Sequence, residues 1–230
     1  MRFLLPLFFA CDPVGPAADP PEVFPVAAAQ TTFASAEALG AYVSEAHREI
    51  TTTREGAEPT VLRELTRLRW QSEDRWQWLE MRDGVRVSEV RVWDGVAWRS
   101  AAAGIFRRQA DPASARADLV LSGDPWSRVL GTAAARVGYR DAGEEDIEGR
   151  KVWHYRLALL PNETPGRKSR DVTRVEGQVW IDQVTAVRLA GELTVETTFR
   201  TQRKSTRLRF AMTNLGGDVG AEPPPSAAGP

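Results

Sequence analysis

A single cysteine, Cys11, excludes a disulfide within the chain, and two histidines far apart in sequence, His47 and His154, offer little from which to build a metal centre or a nucleophile–base pair. Neither a glycine-rich phosphate loop nor a Gly-x-Ser-x-Gly elbow occurs. Asp141, Glu144, Glu145 and Asp146 form an acidic group that lacks calcium-loop spacing and reads as an exposed acidic turn. The chain is therefore expected not to be an enzyme and to need no cofactor. Charge of one sign is missing too: 30 basic against 31 acidic residues gives a net charge of -1, with no pull on nucleic acid. Apolar runs fall short of the ~20 residues that a membrane-spanning helix needs.

What is present begins at the N-terminus. Arg2 supplies a positive start, residues 3–9 an apolar run broken only by Pro6, and Ala10 a small residue before Cys11, which is the layout of a cleaved secretory signal. Phe8-Phe9-Ala10-Cys11 resembles the lipobox of bacterial lipoproteins, with Phe8 and Phe9 where that motif prefers Leu and a small residue. The resemblance implies removal of residues 1–10 and lipidation of Cys11, hence a protein of the bacterial cell envelope, anchored by its lipid and facing the periplasm. Acylation also disposes of a lone thiol that an oxidising compartment would attack. Five prolines between residues 12 and 30 make residues 11–32 a semi-stiff tether.

The folded domain is expected over residues 33–215. Ser35 as cap, Glu37 in the first turn, and Leu39, Tyr42, Val43 and Ala46 at helical spacing predict an amphipathic helix closed by His47 and Arg48. From Ile50 the period turns to two, and an antiparallel meander follows, with tight turns at Asp83-Gly84 and Asp94-Gly95. Asp111-Pro112 and Asp124-Pro125 each place a cap before a proline, which predicts two inserted helices between residues 104 and 135. In the second, Trp126, Val129, Leu130, Ala133 and Ala134 make an apolar face. Strands resume near Val137. In residues 187–200, Val187, Leu189, Leu193, Val195 and Phe199 oppose Arg188, Glu192, Thr194, Glu196 and Arg200, the pattern of a sheet wet on one side. Residues 216–230 have little to bury and read as a disordered tail.

Eight tryptophans against three tyrosines is unusual, and on a half-buried sheet most of them serve as plain core. Arg63, Arg67, Arg69, Arg207 and Arg209 fall at period two, as on a solvated sheet face. Asn162-Glu163-Thr164 matches a glycosylation acceptor, which a bacterial signal makes irrelevant.

Val92-Trp93-Asp94-Gly95 with Trp98 after it, and Gly177-Gln178-Val179-Trp180-Ile181-Asp182 followed by the alternating residues 187–199, resemble the lipoprotein-localisation factor superfamily: LolA, LolB and the LppX/LprG-type lipid carriers. The resemblance covers about residues 33–215. It implies a mainly β (α+β) fold, a curved antiparallel sheet forming an incomplete half-barrel covered by the N-terminal helix and the inserted helical pair. It also implies an apolar cavity for acyl chains of a lipid or lipoprotein, for transport or sorting. The residues expected to line it are Trp70, Trp76, Trp78, Trp126, Trp153 and Trp180, with Leu189, Leu193, Phe199, Leu208 and Phe210. Expected partners are those acyl chains and, through the lipidated N-terminus, a membrane; the protein is expected to be monomeric. The alternative is an envelope scaffold with a filled core that binds a protein. LolB's exposed apolar loop has no counterpart beyond Gly104-Ile105-Phe106, which Arg107 and Arg108 follow at once.

Overall fold

The computed structural model describes residues 36–101, 104–109, 112–122, 124–160 and 171–224. The signal, Cys11, the tether and the Asn162 acceptor site lie outside them. Among the described residues eleven strands form one antiparallel sheet. They are β1 Tyr42–Arg54, β2 Thr60–Ser72, β3 Arg75–Arg82, β4 Val85–Trp93, β5 Val96–Ala101 and β6 Phe106–Arg108, then β7 Val137–Ile147, β8 Arg150–Leu159, β9 Asp171–Asp182, β10 Arg188–Phe199 and β11 Gln202–Thr213. The spatial order is β6-β5-β4-β3-β2-β1-β11-β10-β9-β8-β7. Two meanders are thus joined through β1 against β11, and the sheet stays open at β6 and β7.

Those two edge strands are neighbours in sequence, so the segment between them must cross a face of the sheet. It carries helix α1 Pro112–Ser122, helix α2 Pro125–Leu130 and a 3₁₀ turn, Gly131–Arg136. Helix α2 rests on β10 and β11, and α1 on β5. An open sheet this wide curls rather than lying flat. The result is the mainly β half-barrel with a helical cover that the sequence predicts.

The expected turns at Asp83-Gly84 and Asp94-Gly95 are present, and Glu148-Gly149 makes a third. Asp83-Gly84, Asp94-Gly95 and Glu148-Gly149 have φ of 47° and 78°, 50° and 74°, and 49° and 78°, the paired positive values of a type I′ hairpin. After β9 the chain turns around Asp182, which is fully buried. Its carboxylate accepts from Arg150 Nε (2.7 Å) and Nη2 (3.0 Å), from the Thr185 backbone N–H (2.7 Å) and from the Thr185 hydroxyl (2.7 Å). Burial pushes this carboxyl up, but the Arg150 and Thr185 hydrogen bonds and the Arg150 charge outweigh it and hold its pKa at about 2. A folded-state pKa below the unfolded one contributes stability that is complete above about pH 4 and lost as pH falls towards 2. Asp182→Asn should therefore lower stability near neutrality by about 2 kcal/mol and flatten the acid limb of stability against pH, as denaturant titrations from pH 2 to 7 would read out.

Four expectations are corrected. The N-terminal helix over residues 35–48 is a strand from Tyr42: β1 is central and pairs along its length with both β2 and β11, and two full ladders override a helical spacing of apolar residues. Ahead of the strand Ala36 and Glu37 are helical, and the Leu39 and Gly40 N–H groups donate to their carbonyls at 3.0 Å. The supposed acidic turn at Asp141 to Asp146 is part of β7, with a bulge between Asp141 and Gly143. The alternation in β10 is broken by bulges at Arg188/Ala190 and Glu196/Thr197. Arg188 is therefore buried with the apolar residues, while Phe199 is 43% exposed.

The fourth correction is the tail. Residues 216–224 cross the back of the sheet, with Val219 and Pro224 buried. Arg69 Nη1 donates to the Gly220 carbonyl (3.0 Å), Arg91 Nη1 to that of Pro223 (2.8 Å), and the Gly216 N–H to the Ala41 carbonyl (2.7 Å). Residues 225–230 lie outside the described set. Beneath this strap Glu89, 2% exposed, accepts from Arg91 Nε (2.6 Å), Gln77 Nε2 (2.7 Å) and Arg86 Nη1 (2.8 Å). Burial pushes its carboxyl up, and these hydrogen bonds with the Arg91 charge bring it below the usual range. The rest of that face is solvated, with pairs such as Arg63 and Glu49 (3.1 Å) and Arg67 and Glu45 (2.5 Å) linking adjacent strands.

Candidate functional site

The helix-covered face of the sheet is apolar from β5 to β8. Tyr42, Leu68, Trp70, Trp76, Val90, Val92 and Ala97 pack with Ala115 and Leu119 of α1. Ala46, Leu193, Val195, Leu208 and Phe210 pack with Trp126, Val129 and Leu130 of α2. Sequence spacing does not give this directly. It follows from which β faces the crossing segment covers.

Most of the expected lining residues meet there. Trp70 and Trp76 lie with ring centroids 6.5 Å apart, and Trp126 meets Phe210 edge-on at 5.8 Å. Leu189, Leu193 and Leu208 are buried, and Trp78 and Trp153 are half-buried against the same clusters. Phe199 does not belong. It stands at the end of β10 beside Arg200. Trp180 is half-buried but engaged in a polar contact: it stacks on His154 at 4.7 Å and donates its ring N–H to Glu145 (2.9 Å), which also holds His154 Nδ1 (2.8 Å).

An ion pair ties helix α2 to the sheet. Asp124 caps the helix by accepting from the Ser127 N–H (3.1 Å) and takes the Arg188 guanidinium at 2.7 Å. Arg188 is 3% exposed, and burial lowers its pKa against the opposing pull of Asp124. The contact is close enough to require glycine on β10. A Cβ on Gly191 would come within 2.5 Å of Phe210 Cε1 and 2.7 Å of Trp126 Cζ3. Gly191→Val should thus destabilise the domain by roughly 1–3 kcal/mol and loosen α2, measured as a lower melting temperature and faster amide exchange in residues 124–130.

Several spaces adjoin the sheet among the described residues, one of them, of about 460 Å³, lined by Arg48, Glu64, Leu193, Arg207 and Leu208. Under α2, between Ala46, Thr66, Glu80, Pro125 and Leu208, a cavity of about 20 Å³ remains, room for little more than one water. At the β4–β6 edge, beside the first turn of α1, a cavity of about 970 Å³ is lined by Ser88, Arg99, Ser100, Arg107, Arg108 and Ser114, with apolar Val87, Ala101 and Ile105. Arg107 and Arg108 are exposed and make no ion pair among the described residues. The arginine pair is visible in the sequence, but nothing there brings it to Arg99, Ser88 and Ser114. Among the described residues no three His, Cys, Asp or Glu side chains converge on a metal-sized point, and no helix is long and apolar enough to cross a membrane.

Neither a family model nor a curated protein matches the sequence. Solved structures to which the chain is similar include Mycobacterium tuberculosis lipoprotein LppX, at 12% identity over 86% of this chain and 97% of that one, TM-score 0.30. A LolA superfamily protein from Nitrosomonas europaea matches at 9% over 80% and 94%, TM-score 0.25. A putative outer membrane lipoprotein-sorting protein domain from Vibrio parahaemolyticus matches at 15% over 86% and 93%, TM-score 0.27. This is the group of proteins that the sequence resembles. Likenesses this distant give no residue of this chain a role.

Proposed function

We propose that the chain is a cell-envelope binding protein that takes up an acyl chain between its helical cover and the apolar face of its sheet, without catalysis or cofactor. The observation that carries this reading is the cover itself. One connection, from β6 to β7, bears both helices across two apolar clusters, and α2 is held there by the Asp124–Arg188 ion pair and a few large side chains. The cavity beneath α2 among the described residues holds about 20 Å³, so an acyl chain entering there lifts that helix. A protein scaffold with a permanently filled core is the second reading, and that small residual volume favours it.

Displacement of a fluorescent fatty acid separates the two. Binding that Gly191→Val alters by at least severalfold supports uptake beneath α2, and repeated absence of binding supports the scaffold. The proposed anchor has its own test. Cys11→Ser should release the protein from the membrane fraction, since the remaining apolar segments are too short to hold it. Membrane association that survives high salt in that variant would contradict lipidation.

A further inference from the structure

The cavity at the β4–β6 edge has a chemistry that acyl binding alone does not call for. Arg99, Arg107 and Arg108 line it, and among the described residues no carboxylate does. Arg107 pairs across to Arg99 in the β5–β6 ladder, so two guanidinium-bearing residues stand opposite each other where like charges repel. Arg107 and Arg108 have no acidic partner among the described residues, unlike Arg63 and Arg67, which pair with carboxylates on the neighbouring strand. Ser88, Ser100 and Ser114 add hydroxyls, and Gln109, whose side-chain Oε1 is buried without a hydrogen-bond partner, adds an amide whose two ends are interchangeable. Ser114 belongs to the first turn of α1, so the positive end of that eleven-residue helix also lies at the cavity.

We infer that this cavity is an anion site for the phosphate- or sulfate-type headgroup of an amphiphile, with Arg107 and Arg108 as its cations. Guanidinium groups offer forked donors that match a tetrahedral oxyanion, and a polar floor of hydroxyls accepts the remaining geometry. Val87, Ala101 and Ile105 give the same cavity an apolar side on which the start of a hydrocarbon chain can lie. Helix α1 then leads from the headgroup towards the apolar face, since its Ala115 and Leu119 pack with Val92 and Ala97. The inference deepens the acyl-binding reading and rests on it for the identity of the anion's carrier.

The test uses the full chain in phosphatidylcholine nanodiscs, titrated calorimetrically with octyl phosphate, orthophosphate and uncharged octyl glucoside, with empty nanodiscs as blank. Octyl phosphate should bind at least about tenfold more tightly than either other probe. Arg107→Gln with Arg108→Gln should cost octyl phosphate at least about tenfold and leave octyl glucoside unchanged. Both residues are exposed, so the fold should tolerate the pair, and an unchanged melting temperature confirms it. Equal binding of octyl phosphate and orthophosphate, lost together in the double variant, upholds the anion site and contradicts the acyl reading. Equal binding of octyl phosphate and octyl glucoside upholds the acyl reading and overturns the anion site. Octyl phosphate binding that the double variant retains in full also overturns it.

Discussion

Leu193→Asp should leave the domain largely unfolded at 37 °C. Leu193 is 2% exposed and sits in β10 between Leu208 of β11 and Gly177 of β9, beneath the α2 cluster. A carboxylate placed among these apolar side chains either stays charged in an apolar medium or takes up a proton, at a cost of several kcal/mol. A loss of about 4 kcal/mol or more is a large part of what a domain of this size has. Leu193→Ala isolates the packing component and should cost about 2–5 kcal/mol. Glu192→Ala, on the wet face opposite Arg209, should change stability by less than about 1 kcal/mol. Melting temperatures of the three variants check the order. A Leu193→Asp protein that stays folded and loses fatty-acid binding would instead mean that water reaches this position because the cover opens over it.

Asp124→Ala should cost about as much, for a different reason. It removes the cap of α2, typically about 1 kcal/mol, and the carboxylate that faces the buried Arg188 guanidinium, a loss of up to roughly 3–5 kcal/mol. Removing both charges should recover much of the loss, because the desolvation cost of Arg188 disappears with it. A double-mutant cycle of Asp124→Ala and Arg188→Met, read by urea unfolding, should therefore show coupling of about 2 kcal/mol or more. Additive losses would mean that the ion pair does not hold α2.

The parts of the fold legible in the sequence were those decided locally. Asp83-Gly84 and Asp94-Gly95 dictate their hairpins through positive φ, and Asp124-Pro125 announces α2 because a cap and a pre-set φ occupy adjacent positions. Where non-local pairing decides, the reading failed. Tyr42 to Arg48 satisfies a helical period and a strand period together, and only the presence of β2 and β11 on either side selects the strand. The bulges of β10 leave no mark in its composition, yet they turn Arg188 inward and put Phe199 at the surface. The back strap escaped notice because residues 216–224 attach mainly through backbone carbonyls to Arg69 and Arg91, which need no apolar pattern.

The candidate site divides in the same way. Trp70, Trp76, Leu193, Leu208 and Phe210 could be assigned to one face by alternation, since each lies in a regular stretch of ladder. The edge cavity could not. Ser88, Arg99, Arg107 and Ser114 come from β4, β5, β6 and α1, and meet only because the segment after β6 turns back over the sheet.

Native mass spectrometry of the Cys11→Ser chain, prepared from bacterial cells without detergent, tests acyl binding most directly. The account predicts a population carrying one additional amphiphile mass, which Gly191→Val and Leu193→Ala diminish and which collisional activation releases as an anion. A chain that is ligand-free in repeated preparations, and that stays so after incubation with octyl phosphate and with fatty acid, would contradict it and leave a filled-core scaffold.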